Sequence, residues 1–140
     1  MRIDAIVLVL GVLLPCCAAA DARQDYMLNC MGCHLLDGNG APPDIPALKD
    51  RIGYFLTLPQ GREYLAQVPG AANSLLDDAR LAAVLNWIID EFAGASAPPG
   101  WERYGAAEVG AYRKARAGDI DALRRTLTDE LQRVHPTLDY

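Results

Sequence analysis

The segment Cys30-Met31-Gly32-Cys33-His34 brings two thiols and an imidazole together within five residues. This C-x-x-C-H spacing is typical of covalent haem attachment. Two sulfurs at this separation can both reach the vinyl carbons on one edge of a porphyrin, and the adjacent imidazole can turn under the ring towards the iron. The motif therefore predicts one covalent haem c, with Cys30, Cys33 and His34 as cofactor-binding residues and His34 as the metal ligand.

Two other kinds of site use a C-x-x-C pair, and both are alternatives here. A redox dithiol is expected beside a strand and helix of a thioredoxin-like unit, and no run in this chain reads as a buried strand. A zinc site needs about four ligands. No cysteine follows Cys33, and the only other histidine is His135. Covalent haem is the stronger interpretation.

Residues 1–20 have the pattern of a secretory signal. An apolar run of ten residues follows a short positive start at Arg2 and is too short to span a bilayer. Ala18-Ala19-Ala20 then forms an A-x-A-like cleavage site. Cleavage there leaves only the two motif cysteines, and it predicts an exported, periplasmic protein without membrane association. Lipidation at Cys16 or Cys17 and an uncleaved anchor are the alternatives.

Acidic charge is concentrated ahead of the C-terminal forty residues. Residues 21–100 carry five Lys or Arg and ten Asp or Glu, whereas residues 101–140 carry seven of each. A surface of this sign argues against nucleic acid as a partner. It fits electrostatic steering towards a basic patch on a partner protein, although an ordinary solvated surface would look the same.

The apolar periodicity predicts an all-α fold, with no alternating pattern of strands. Breakers such as Asp37-Gly38-Asn39-Gly40 mark residues 35–46 as a loop. Asp77 and Asp78 are expected to cap the strongest helix, which runs to about Phe92. The expected helices are 21–29, 49–58, 61–67, 77–92, 106–117 and 119–134, with a turn at Pro69-Gly70.

Residues 21–93 resemble a class I monohaem cytochrome c. The resemblance rests on the haem motif, the Asp37–Gly40 loop, Pro46-Ala47-Leu48, and the segment from Leu76 to Ile89. It implies a small all-α globule around one covalent haem, in which the first and last helices cross. The implied organisation is a signal peptide at 1–20, a haem domain at 21–93, a linker at 94–100 and a helical C-terminal appendage at 101–140.

The resemblance also implies roles for individual side chains. In the family a proline carbonyl accepts a hydrogen bond from the second nitrogen of the proximal histidine, and Pro46 is the best match for that proline. Such bonds fix the orientation and basicity of the ligand. Trp87 is expected to pack where the first and last helices cross. Met27, ahead of the motif, is expected in the core.

The chain departs from the family at the sixth iron ligand, which is usually a methionine shortly before the last helix. No methionine follows Met31, and Val68 stands about where the family has one. Four alternatives are open for this distal position. It is empty or holds water, it is approached by Asn73, Tyr54 or Tyr64, it is filled by His135, or it is filled by a partner chain or the mature N-terminal amine.

The resemblance implies an electron carrier and not an enzyme, with no catalytic residue assigned. The expected partner is a periplasmic dehydrogenase or oxidase that exchanges single electrons with the haem. An open distal site would instead bind nitric oxide, carbon monoxide or peroxide, with peroxidase-like catalysis as the weakest form of that alternative. A third alternative is a haem subunit that the appendage docks into a larger complex.

Overall fold

A computed structural model describes residues 16–115 and 118–138, with side chains from residue 21 onward. Most of the predicted signal segment, residues 1–15, lies outside the described residues. The described chain is all-α, as predicted, and its helices are α1 (Cys16–Asn29), α2 (Met31–His34), α3 (Gly61–Gln67), α4 (Pro69–Ala72), α5 (Asp78–Phe92), α6 (Ala106–Ala115) and α7 (Ile120–Val134). Within these ranges, no helix combines the length and apolar character needed to cross a membrane.

Helices α1 and α5 cross, and an aromatic cluster fills the crossing. Tyr26 of α1 is fully buried, and its ring lies 5.0 Å from Trp87 and 5.3 Å from Phe92 between centroids. Such tilted ring pairs add to the free energy gained by burying their area. The expected position of Trp87 at this crossing is confirmed. The first and last helices of residues 21–93 therefore contact each other, as the family resemblance implies.

Helix α5 begins and packs as its sequence predicts. The carboxylate of Asp77 accepts a hydrogen bond of 2.8 Å from the backbone N–H of Arg80, which caps the first turn. One apolar stripe of α5 is buried in the core, namely Leu81, Val84, Leu85, Ile88, Ile89 and Phe92. Helix α5 packs mainly against α1 and α6 among the described elements.

Three local expectations are wrong. Residues 49–58 form a shorter 3₁₀ helix, Ile52–Thr57, whose Gly53 N–H donates to Ser96 Oγ at 3.1 Å. Gly53 also lies directly against the Ser96–Ala97 backbone, a contact between distant residues that local periodicity does not report. Pro69 begins a single helical turn, α4, instead of a plain turn, since proline is well suited to the first helical position. Met27 is 38% exposed, because Tyr26 takes the inward direction of α1.

The C-terminal appendage packs against the residues of the predicted haem domain. Tyr104, Val109, Leu127 and Leu131 are buried in the same core as the α5 stripe. A bidentate ion pair joins Arg62 of α3 to Glu108 of α6, with N–O distances of 3.0 and 2.9 Å. The C-terminal end of the apolar stripe of α7 is not buried in this core, as the 66% exposure of Val134 shows. The domain boundaries themselves stay a prediction.

Candidate functional site

The C-x-x-C-H motif forms one helical turn directly after α1. The backbone N–H of Cys30 donates to Tyr26 O at 2.8 Å, and the N–H of His34 donates to Cys30 O at 3.0 Å. A helical turn places residues three and four apart on one side. Cys30, Cys33 and His34 consequently line the same cavity.

His34 is oriented by the carbonyl of Pro46. The His34 Nδ1 atom lies 3.2 Å from Pro46 O. A carbonyl oxygen only accepts, so this contact requires a proton on Nδ1 and leaves the lone pair on Nε2. Burial lowers the pKa of His34, while the bond to the Pro46 carbonyl opposes that shift. The neutral imidazole thus has one nitrogen engaged and the other available to a metal.

Gly40 allows the loop to bring Pro46 back to His34. Its φ is +64°, and its N–H donates to His34 O at 3.0 Å. A side-chain Cβ at this position would lie 2.6 Å from Ile45 O and 2.7 Å from Pro46 O. Any side chain here would therefore push away the carbonyl that orients the imidazole.

The two cysteines are free thiols in different environments. Cys33 is exposed and Cys30 is partly buried. Burial, with smaller contributions from Asp25 and Cys33, raises the pKa of Cys30 to about 11. A redox-active dithiol needs a cysteine with a lowered pKa, and burial shifts the pKa of Cys30 in the opposite direction. This argues against the dithiol alternative.

The motif opens on a cavity of about 300 Å³ beneath α5. Pro46 shares it with the motif residues, so the structure brings together all four site residues predicted from the sequence. Its other walls are mainly apolar, including Ile45, Leu48, Ile52, Phe55, Leu65, Val68, Leu76, Leu81, Val84, Leu85 and Ile88. An apolar cavity with a few polar groups is typical of a cofactor site.

The candidate distal ligands differ in whether they line the cavity. Val68 and Tyr64 lie on the cavity wall. Tyr54 and Asn73 are not among the wall residues, and neither is His135, whose ring packs on Tyr54 with 4.6 Å between centroids. Burial raises the pKa of Tyr64 and so disfavours its phenolate form. A neutral phenol is a weaker iron ligand than a phenolate.

Sequence reasoning missed three side chains of the appendage that reach this cavity. Ile120, Asp121 and Arg124 of α7 are part of its wall, beside Tyr64 of α3. Arg124 is half-buried and forms no salt bridge with any residue that the structure describes. Ile120 belongs to the apolar stripe of α7 that the sequence predicts, but the sequence of that helix does not indicate which surface the stripe packs against.

The donor set and the walls fit a covalent haem. Two thiols and an imidazole nitrogen converge on a cavity whose walls are mainly apolar, and the cation Arg124 on its wall suits a group with carboxylate substituents. When bound, a haem supplies an iron that changes between ferric and ferrous states. The protein contributes the attachment, the orientation of His34 and the exclusion of water.

Comparison with known proteins agrees with this chemistry. The chain is 32% identical over 118 residues to a cytochrome c-552 of Thermus thermophilus, a match covering 71% of this chain and 77% of that protein. It is also 32% identical over 116 residues to another cytochrome c-552 of Thermus thermophilus, covering 70% and 86% of the two chains. No protein-family model matches the chain, and no solved structure matches it either.

Proposed function

Because the chain belongs to the c-type cytochromes, we propose that it is an exported carrier of single electrons with one haem c bound through Cys30 and Cys33. The observation that carries this proposal is the hydrogen bond between His34 Nδ1 and Pro46 O, 3.2 Å long, on the wall that also holds both thiols. That bond leaves Nε2 of His34 as the proximal iron ligand.

The side chains around the cavity have separate tasks in this carrier. Leu81, Leu85 and Ile88 exclude water from the haem, which helps to set the iron potential through burial. Arg124 lies on the same wall without a carboxylate partner among the described residues. It is the cation best placed to pair with a haem propionate.

A second candidate function is the binding of a small ligand at the iron. The observation that favours it is Val68 on the cavity wall, since an isopropyl group cannot ligate iron. Tyr64, also on the wall, carries a hydroxyl that would donate a hydrogen bond to such a ligand. Nitric oxide and carbon monoxide suit this site better than peroxide, since peroxidase chemistry needs an acid–base group close to the iron.

The partner in electron transfer is proposed to be a periplasmic dehydrogenase or oxidase. The acidic balance of residues 21–100 supports a partner with a basic docking surface. The signal-like residues 1–20 support the periplasmic location. Neither a second haem motif nor a recognisable substrate domain occurs in the sequence, which supports a carrier over a self-contained enzyme.

The test is production of the full chain in a host that attaches haem c, followed by mass spectrometry and redox titration. We expect one haem per chain and a reversible one-electron transition. The Cys30→Ala and Cys33→Ala variants are expected to lose covalent haem in part or completely. An exported wild-type protein whose mass includes no haem would overturn the proposal.

Spectra of the same sample separate the two functions. A carrier with a filled sixth position is expected to be low-spin and to take up carbon monoxide slowly. An open iron is expected to be high-spin when ferric and to bind carbon monoxide readily when ferrous.

A further inference from the structure

One guanidinium of the appendage holds a whole segment of the cavity wall. Arg113 donates to Ala72 O at 3.1 and 3.2 Å, to Ser74 O at 3.0 Å and to Leu76 O at 2.9 Å. It also pairs with Asp78 Oδ1 at 2.9 Å. All three nitrogens of Arg113 are thereby engaged, and its side chain is only 20% exposed. The planar fork of arginine suits such a set of acceptors, and the ammonium of lysine does not.

The segment that Arg113 holds is also part of the haem cavity. Residues 68–76 supply six wall residues, Val68, Pro69, Gly70, Ala71, Ser74 and Leu76. The carbonyls held by Arg113 alternate along this stretch, at positions 72, 74 and 76. Without the guanidinium, those carbonyls would need water as their partner.

Helix α6 is fixed to the rest of the molecule by other contacts, so Arg113 acts from a firm base. Val109 of α6 is completely buried, and the Tyr112 carbonyl of α6 accepts a hydrogen bond of 2.9 Å from Gln67 Nε2. Gly110 lets the Asp78 carboxylate approach, since a Cβ there would lie 2.5 Å from Asp78 Oδ2. Loss of the Arg113 side chain should therefore release the segment without detaching the helix.

We propose that Arg113 is a positioning residue that keeps residues 68–76 closed over the haem and so limits the access of external ligands to the iron. This inference rests on the proposed haem function. The guanidinium touches neither the haem nor the iron in this account. It acts through the wall that it holds, and the appendage thus controls how open the site is.

The test compares Arg113→Gln with Arg113→Lys and Arg62→Gln in the haem-loaded full chain. Arg62→Gln is the matched control, since it removes the tie between α3 and α6 but no bond to residues 72–76. The first measurement is the rate at which the ferrous haem takes up carbon monoxide, a neutral ligand that is little affected by the lost charge. The second is amide hydrogen exchange in peptides covering residues 68–76, which needs no functional haem.

For Arg113→Gln we expect both rates to rise roughly tenfold or more, as loss of charge-assisted hydrogen bonds would give. Arg113→Lys should give an intermediate rise, and Arg62→Gln should stay within about twofold of the wild type. Wild-type rates in Arg113→Gln, or equal rises in Arg113→Gln and Arg62→Gln, would overturn the inference. A wild-type chain without haem would overturn the proposed function instead, and the exchange rates would still decide whether Arg113 holds the segment.

Discussion

The hydroxyl of Tyr26 donates a hydrogen bond of 2.5 Å to the carbonyl oxygen of Leu35, the residue that directly follows His34. Leu35 has φ +64° and ψ +169°, a conformation that is costly for any residue with a side chain. The bond from Tyr26 stabilises the chain at this strained position. Tyr26 of α1 thus fixes both ends of the haem motif: its carbonyl accepts the N–H of Cys30, and its hydroxyl donates to the carbonyl of Leu35, directly after His34.

Replacement of Tyr26 by Phe is expected to lower the free energy of unfolding by about 1–2 kcal/mol. The ring would still fill the aromatic cluster, but the Leu35 carbonyl would lose its partner. Urea unfolding of the haem-loaded protein measures the change. Tyr54→Phe is the matched control, because the Tyr54 hydroxyl makes no hydrogen bond to a residue that the structure describes. An equal loss in both variants would argue against the role given to Tyr26.

The same phenol predicts a loss of stability at alkaline pH. Burial, with smaller contributions from Cys30 and Asp37, raises the pKa of Tyr26 from 10.0 to about 12. A group whose pKa is higher in the folded state stabilises the fold below its unfolded pKa and loses that contribution as the pH rises through its folded pKa. Burial, the largest cause, persists when Cys30 becomes a thioether.

Unfolding midpoints from about pH 9 to about pH 12 check this expectation. The wild type should lose stability across that interval, and Tyr26→Phe should lose less. Parallel curves for the two proteins would show that other groups cause the alkaline loss.

The local pattern of the chain predicts much of the fold and the attachment side of the site. Local sequence determines the helix capped by Asp77, its buried stripe and the turn of the haem motif, because each depends on residues only a few positions apart. The spacing of apolar residues therefore predicts them directly. Only the family resemblance predicted that the Pro46 carbonyl accepts a hydrogen bond from His34, since nothing in the local sequence distinguishes one loop carbonyl from the others.

The rest of the site depends on contacts between distant parts of the chain. Arg113 and the Ala72 carbonyl are 41 residues apart, and Arg124 reaches the cavity only because α7 packs beside α3. Helix periodicity shows that a helix has an apolar face, but it does not show which surface that face will meet. The packing of the 3₁₀ helix Ile52–Thr57 also depends on a distant segment, since the Gly53 N–H donates to Ser96 Oγ, 43 residues away.

His135→Ala is expected to leave the ferric and ferrous spectra unchanged. The His135 ring packs on Tyr54 and is not part of the cavity wall. Absorption spectra of the two haem-loaded proteins are the measurement. Loss of a low-spin spectrum in the variant would show that the appendage rearranges to supply the sixth ligand, and bis-histidine electron transfer would become the better account.

Arg124→Gln is expected to lower the midpoint potential of the haem. A cation close to the haem stabilises the ferrous form, which carries one more electron, so its removal favours the ferric form. Arg125→Gln is the matched control, since it removes the same charge from the next, exposed position of α7. Redox titration measures the midpoint potentials of both variants. Equal shifts in the two potentials would argue against a specific interaction of Arg124 with the haem.

Val68→Met is expected to convert the haem to a low-spin, high-potential form. Val68 lies on the cavity wall, so the substitution offers the iron a thioether, which favours the ferrous state. The variant should also resist carbon monoxide, because the sulfur occupies the position that the ligand needs. Leu75→Met is the control, since Leu75 is in the same segment but 99% exposed and directs its side chain to solvent.

The near-infrared absorbance of the ferric protein detects a methionine–iron bond directly. Its absence in Val68→Met would mean that the Val68 side chain does not face the iron, and its presence in the wild type would refute the assignment of a site without methionine.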